Sequence, residues 1–92
     1  MIYEVIVTPE AREGISKHIK AGNKKLVEKI ISLLEEIAQS PRQGRGKPEQ
    51  LKGREVETWS RRIDSKHRLV YEILEDRLVV YAISAFGHYG DK

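Results

Sequence analysis

No cysteine occurs in the chain, so no disulfide frame supports the fold and no thiolate is present to act as a nucleophile. Any metal site would have to be built from histidines and carboxylates. No segment approaches the roughly 20 apolar residues that a spanning helix needs. The opening Met1-Ile2-Tyr3-Glu4-Val5 lacks the basic and apolar regions of a secretory signal. There are no internal repeats, and no long linker divides the 92 residues. These absences together predict one soluble, unprocessed, cytoplasmic domain with no membrane contact. A chain of this size buries roughly 60 to 65% of its unfolded surface, enough to fold alone with little margin.

Charge is present in both signs, and its placement says more than the formal net value of +3. Between Arg42 and Arg68 nine Lys/Arg face four Asp/Glu, whereas the rest of the chain carries eight basic and ten acidic side chains. A positive patch of this kind attracts a polyanion by neutralising phosphates and releasing counterions. A solvated basic loop would carry the same charge.

The pattern along the chain predicts an α+β domain. A β-rich run from Ile2 to Val7 ends at Thr8-Pro9, where Thr8 suits a helix cap and Pro9 the first helical turn. The first helix is expected to reach about Lys20, and Ala21-Gly22-Asn23 breaks it, with Gly22 fit for the left-handed cap. A longer helix follows, with Leu26, Val27, Ile30, Ile31, Leu33, Leu34, Ile37 and Ala38 at helical spacing, and Ser40-Pro41 stops it. Residues Arg42 to Glu55 read as an ordered polar loop across the mouth of the fold. Three strands are expected after it: Val56 to Ile63, Arg68 to Leu74 and Leu78 to Ser84. Their short connections favour antiparallel hairpins, giving a βααβββ order with two helices on one face of an antiparallel sheet.

Strand alternation assigns sides. Thr58, Ser60 and Arg62 share one face, and Trp59, Arg61 and Ile63 the other. Leu69, Tyr71 and Ile73 point opposite to Arg68, Val70 and Glu72. Apolar Leu69 and Ile73 belong against the helices, which turns Arg68 to the open face. His18 reads as a surface or boundary residue of the first helix, His67 as a structural residue opposite Arg68, and Trp59 as core or interface.

The run Gly44-x-Gly46-Lys47-Pro48-Glu49-x-Leu51-Lys52, then Trp59-Ser60-Arg61-Arg62-Ile63, His67-Arg68-Leu69-Val70-Tyr71 and Gly87-His88-Tyr89, resembles the YoeB/Txe toxins of type II toxin-antitoxin modules, a branch of the RelE superfamily. The resemblance spans essentially the whole domain and implies a RelE-like, microbial ribonuclease-like fold. It implies a ribosome-dependent, metal-independent messenger RNA endonuclease without a cofactor, leaving a 2′,3′-cyclic phosphate and a 5′-hydroxyl. Carried over by position, Glu49 aligns with the general base, His88 with the general acid and Arg68 with the phosphate-stabilising arginine. Tyr89 aligns with a tyrosine that stacks on or orients the RNA, and Lys47, Lys52 and Arg62 with supporting phosphate binders. Lys47 and Lys52 would keep Glu49 ionised.

The implied partners are a small, partly disordered YefM/Axe-like antitoxin, the ribosome with its message, operator DNA together with the antitoxin, and a second copy in a homodimer. Phe86 stands where relatives often carry a basic residue, implying either one phosphate contact fewer or a ring that stacks on a base. Gly90-Asp91-Lys92 continues past the His-Tyr pair. The alternative reading is a non-cleaving RelE/ParE-fold protein acting through antitoxin, operator DNA or gyrase. A small basic ribosomal protein would explain the charge but not the histidine-tyrosine end.

Overall fold

Residues 2–87 are described by the computed structural model, so His88, Tyr89 and Gly90-Asp91-Lys92 lie outside the described residues. Strand β1 (Glu4–Val7) runs directly into helix α1 (Pro9–Lys20). Thr8 joins them as expected: its Oγ1 accepts from the Ala11 N–H at 3.3 Å and donates to the Ala82 carbonyl at 3.0 Å. One hydroxyl thus caps the helix and ties its start to the sheet. Gly22 takes the positive φ of +76° that ends the α1 connection.

Helix α2 (Lys24–Gln39) buries Leu26, Ile30, Leu33 and Ile37 along one stripe. Each fully buried side chain of this kind contributes about 1.5–3 kcal/mol relative to exposure. Ile31, expected on that stripe, is half exposed instead. It lies one residue beyond Ile30, about 100° around the helix and off the buried face.

Four more strands complete the sheet: β2 (Glu49–Leu51), β3 (Glu57–Arg62), β4 (Arg68–Leu74) and β5 (Val79–Ser84), with one 3-10 turn at Glu75–Arg77. Their order is β1-β5-β4-β3-β2. The α+β class and the helix pair on a mostly antiparallel sheet hold, with two corrections. First, β1 pairs parallel with β5, Glu4 opposite Val79 and Val7 opposite Ala82. No hairpin links these two strands, so nothing local fixes their relative direction. Second, the expected loop from Arg42 to Glu55 contains β2, an edge strand antiparallel to β3 with Glu49 opposite Ser60.

The core lies between the helices and one face of the sheet. It contains Ile30, Leu33 and Ile37 from α2 together with Ile63, Leu69, Tyr71, Ile73, Val80 and Ala82. Leu69 and Ile73 therefore face the helices as alternation requires, and Trp59 packs partly buried against the same cluster. On the opposite face Ser60 pairs with Val70, and Val70 with Ser84. These small side chains are buried and form the floor of the open face.

Candidate active site

Two strands bring the principal groups together. Glu49 opens β2 opposite Ser60, and Arg68 opens β4 opposite Arg62, so all four side chains share the open face. The Arg68 Nη1 lies 3.7 Å from Glu49 Oε1 and donates to Ser60 Oγ at 3.3 Å. The serine steadies the guanidinium from below. The carboxylate is 68% exposed and the arginine side chain 22%, so the anion projects from a cation set into the sheet. Arg62 is exposed beside Arg68. The arrangement offers a proton-accepting carboxylate and two guanidinium groups on one open surface, where an extended polyanion could lie.

Lys47 and Lys52 are exposed at opposite ends of β2. The cation beside Glu49 is Arg68, from a strand two places away in the sheet. Lys47 itself sits in the left-handed region at φ 50°, unusual for a residue with a side chain. Gly46 before it has φ +83°, and a Cβ there would stand 3.0 Å from the Arg62 carbonyl oxygen. The closeness is needed because the Gly46 carbonyl accepts the Arg62 N–H at 2.7 Å. Only glycine meets both demands at this point.

The strap from Ser40 to Gly46 that delivers β2 is held by Arg61, a residue to which the sequence reading gave no role. Its side chain is fully buried. Nε donates to Tyr71 Oη at 3.0 Å, Nη1 to Glu36 Oε1 at 2.7 Å and to the Arg45 carbonyl at 3.3 Å, and Nη2 to the Ser40 and Gln43 carbonyls at 2.7 and 2.8 Å. Tyr71 in turn donates to the Pro41 carbonyl at 2.6 Å. The signal was present: alternation set Arg61 between Trp59 and Ile63, and a cation on a core-facing position must find a carboxylate and carbonyls.

Glu36 is held below the usual carboxylate range, chiefly because it accepts the Arg45 backbone N–H, with the Arg45 and Arg61 charges adding to this. At the start of the strap Arg42 forms a fork on Glu57, at 2.7 and 2.9 Å, and reaches Glu75 at 2.9 Å. The Glu57 carboxyl is lowered first by that arginine and then by the Trp59 indole N–H. Burial raises the Tyr71 phenol.

His88 and Tyr89, aligned with the acid and the RNA-orienting tyrosine, fall outside the described residues. Gly87, immediately before them, is described: its carbonyl accepts the Arg68 N–H at 3.0 Å and its N–H donates to His67 Nδ1 at 2.8 Å. Gly87, the last described residue, therefore sits at the end of β4 that carries Arg68. His18, expected at the surface or boundary, is 2% exposed. It shares the buried face of α1 with Ala11 and Gly14. Phe86, considered as a base-stacking ring, packs against the His18 and His67 rings. Gly14 permits this, since a Cβ there would stand 3.1 Å from Phe86 Cβ.

The family described as "YoeB-like toxin of bacterial type II toxin-antitoxin system" matches residues 8–89. The toxin YoeB of Streptomyces coelicolor is 44% identical over 72 residues, covering 78% of this chain and 83% of that protein. The YoeB/ParE toxin from Agrobacterium tumefaciens superposes with a TM-score of 0.83 at 31% identity, covering 94% of this chain and 99% of the other. Two Staphylococcus aureus structures also align, each covering 97% of this chain and all of theirs. They are the YoeB dimer, with TM-score 0.79 and 34% identity, and the heterotetrameric YoeB-YefM toxin-antitoxin complex, with TM-score 0.76 and 33% identity.

Proposed function

The chain belongs to the YoeB-like toxins of bacterial type II toxin-antitoxin systems, and from that premise we propose that it is an endoribonuclease that cuts messenger RNA on the translating ribosome and so stops protein synthesis. The observation that carries this reading is the Glu49–Arg68 pair, 3.7 Å apart on the open face of the sheet. A carboxylate beside a fixed guanidinium is what in-line attack by a ribose hydroxyl needs. Glu49 takes the 2′-hydroxyl proton, and the 2′-oxygen attacks the adjacent phosphorus. The bond from phosphorus to the 5′-oxygen breaks, and His88 protonates the departing oxygen. The products are a 2′,3′-cyclic phosphate and a 5′-hydroxyl, with no net gain or loss of protons in the RNA.

Arg68 has the strictest task. Charge accumulates on the non-bridging oxygens in the transition state, and donors already aimed at that charge lower the barrier. Its hydrogen bond to Ser60 and its partial burial keep the group in place without substrate. Arg62, Lys47 and Lys52 supply further positive charge for flanking phosphates. Tyr89 orients or stacks on the RNA.

The open face also suits an antitoxin. A YefM-like partner with an acidic, partly disordered segment would wrap the basic surface and fold as it binds. The Staphylococcus aureus toxin solved with YefM supports that partner, and its dimer supports self-association. Binding of operator DNA together with the antitoxin and action in the cytoplasm, where ribosomes are, complete the proposal.

Single substitutions test the roles. Glu49→Gln is expected to slow cleavage by about 10²–10⁴-fold, the usual value of a positioned base. Arg68→Ala is expected to cost about 10²–10³-fold, and His88→Ala a loss in the range of the base. All three should fold like the parent, with an unchanged far-ultraviolet circular dichroism spectrum and a cooperative melt. Full toxicity of the combined triple variant would refute the assignment.

A further inference from the structure

Three rings outside the proposed chemistry meet between α1 and the turn that precedes β4. The His18 and His67 centroids are 4.6 Å apart at 82°, the His67 and Phe86 centroids 4.6 Å apart, and the His18 and Phe86 centroids 4.9 Å apart. Each imidazole grips the backbone of the segment that follows β5. His18 Nε2 lies 2.9 Å from the Ala85 carbonyl oxygen. His67 Nδ1 accepts the Gly87 N–H at 2.8 Å, while the next residue, Arg68, donates its own N–H to the Gly87 carbonyl at 3.0 Å. Residue 87 is therefore bracketed by two consecutive residues of β4 and its turn, one of which carries the phosphate-stabilising side chain.

We propose that His67, backed by His18, is a positioning residue that sets the segment leading to residue 88 beside Arg68, and that it does so only as a neutral imidazole with its proton on Nε2. An acceptor at Nδ1 requires that tautomer. When His67 takes a second proton, Nδ1 becomes a donor facing another donor, the bond to Gly87 is lost, and the segment is released. This inference rests on the reading of His88 as the acid, because it is His88 that the segment delivers.

The charged surroundings work in both directions. Asp64 Oδ1 accepts the N–H groups of Lys66 and His67, each at 2.8 Å, and favours a charged ring. Burial pushes the Asp64 carboxyl up, but the two backbone N–H groups bring it below its ordinary value, so the anion persists. Lys17 over the Phe86 ring at 4.9 Å and the neighbouring Arg68 and Lys66 disfavour a further positive charge.

The discriminating pair is His67→Asn and His67→Leu in the full chain. Asparagine Oδ1 stands near the position of Nδ1, accepts the same N–H and does not titrate. His67→Asn is expected to cleave within about threefold of the parent and to show a shallower acid limb in its pH profile. His67→Leu is expected to lower kcat by about 10- to 100-fold with KM for message unchanged, as a displaced catalytic group does.

Amide hydrogen exchange adds a readout that needs no variant and no cleavage. In the parent chain the Gly87 amide should lose protection as the pH falls through the imidazole range, while the Tyr71 amide in β4 keeps its own. Parent-like cleavage by His67→Leu, or Gly87 protection that does not change with pH, would overturn the proposal. An equal slowing in the asparagine and leucine variants would do the same. If instead His88→Ala cleaves normally, the acid assignment fails, and Gly87 exchange still decides whether His67 holds the segment.

Discussion

Replacing Arg61 with methionine probes how the strap that carries Glu49 is kept in place. The guanidinium makes five hydrogen bonds, to Glu36, Tyr71 and the carbonyls of Ser40, Gln43 and Arg45. Methionine fills most of the space but answers none of these groups. Removing one partner of a buried ion pair costs about 3–5 kcal/mol. Glu36 is 29% exposed and keeps its bonds to Arg45, so the lower end applies, about 3 kcal/mol. A domain of this length has roughly 5–14 kcal/mol in total, so the variant still folds.

Chemical denaturation of the antitoxin-free protein should show this loss as a lower midpoint with unchanged slope. Thermal melting should fall by roughly 12–24 °C. Under conditions where the variant is fully folded, cleavage should still be slower, because the Ser40–Gly46 strap has lost the group that fixes it to β3. Arg61→Lys should recover only part of both losses, since a single ammonium reaches Glu36 but cannot span the carbonyls. A methionine variant destabilised by less than about 1 kcal/mol, or one destabilised as expected but fully active when folded, would refute the reasoning.

Acid should weaken the same anchor. Glu36, Glu57 and Asp64 all have folded carboxyl values below their ordinary ones. Their contribution is therefore complete above the ordinary carboxylate range and is lost as the pH falls through the lowered values. Glu36→Gln should flatten the fall in stability between neutral pH and about pH 3, and an unchanged slope would contradict the role of Glu36. Lys47→Gly should separate stability from activity. It relieves the left-handed backbone at φ 50°, leaving stability equal or up to about 1 kcal/mol higher by denaturation, while RNA affinity falls with the lost charge. Parent-like RNA affinity would remove Lys47 from the binding surface.

Much of this arrangement was legible in the chain because alternation is a hard constraint. Leu69 and Ile73 had to face the helices, and that alone turned Arg68 outward toward Glu49. Thr8, Gly22 and Ser40 marked the helix ends by their own chemistry. Strand β2 is hidden in the sequence because it is only Glu49–Leu51, closely flanked by the turn-forming Pro48 and Gly53, and it exists through its pairing with β3. The parallel direction of β1 depends on where two helices return the chain, which no local pattern records.

The full burial of His18 is hidden in the sequence for a different reason. Its buried face on α1 is made of Ala11 and Gly14, residues too small to display an apolar stripe, although their spacing of three and four is helical. The Glu49, Arg68 and His88 roles came from the motif resemblance. The side-by-side geometry of Glu49 and Arg68 is consistent with those roles but comes from the sheet register.

The central claim is that this surface cuts RNA by attack of the ribose 2′-hydroxyl while the message is being translated. Mapping both ends of every cut in a message translated with purified toxin tests it most directly. The account expects cuts phased to codons in the ribosome, 2′,3′-cyclic phosphate on the upstream fragment and 5′-hydroxyl on the downstream one, all absent with Glu49→Gln. Intact message alongside arrested translation, or fragments bearing 5′-phosphates, would contradict it.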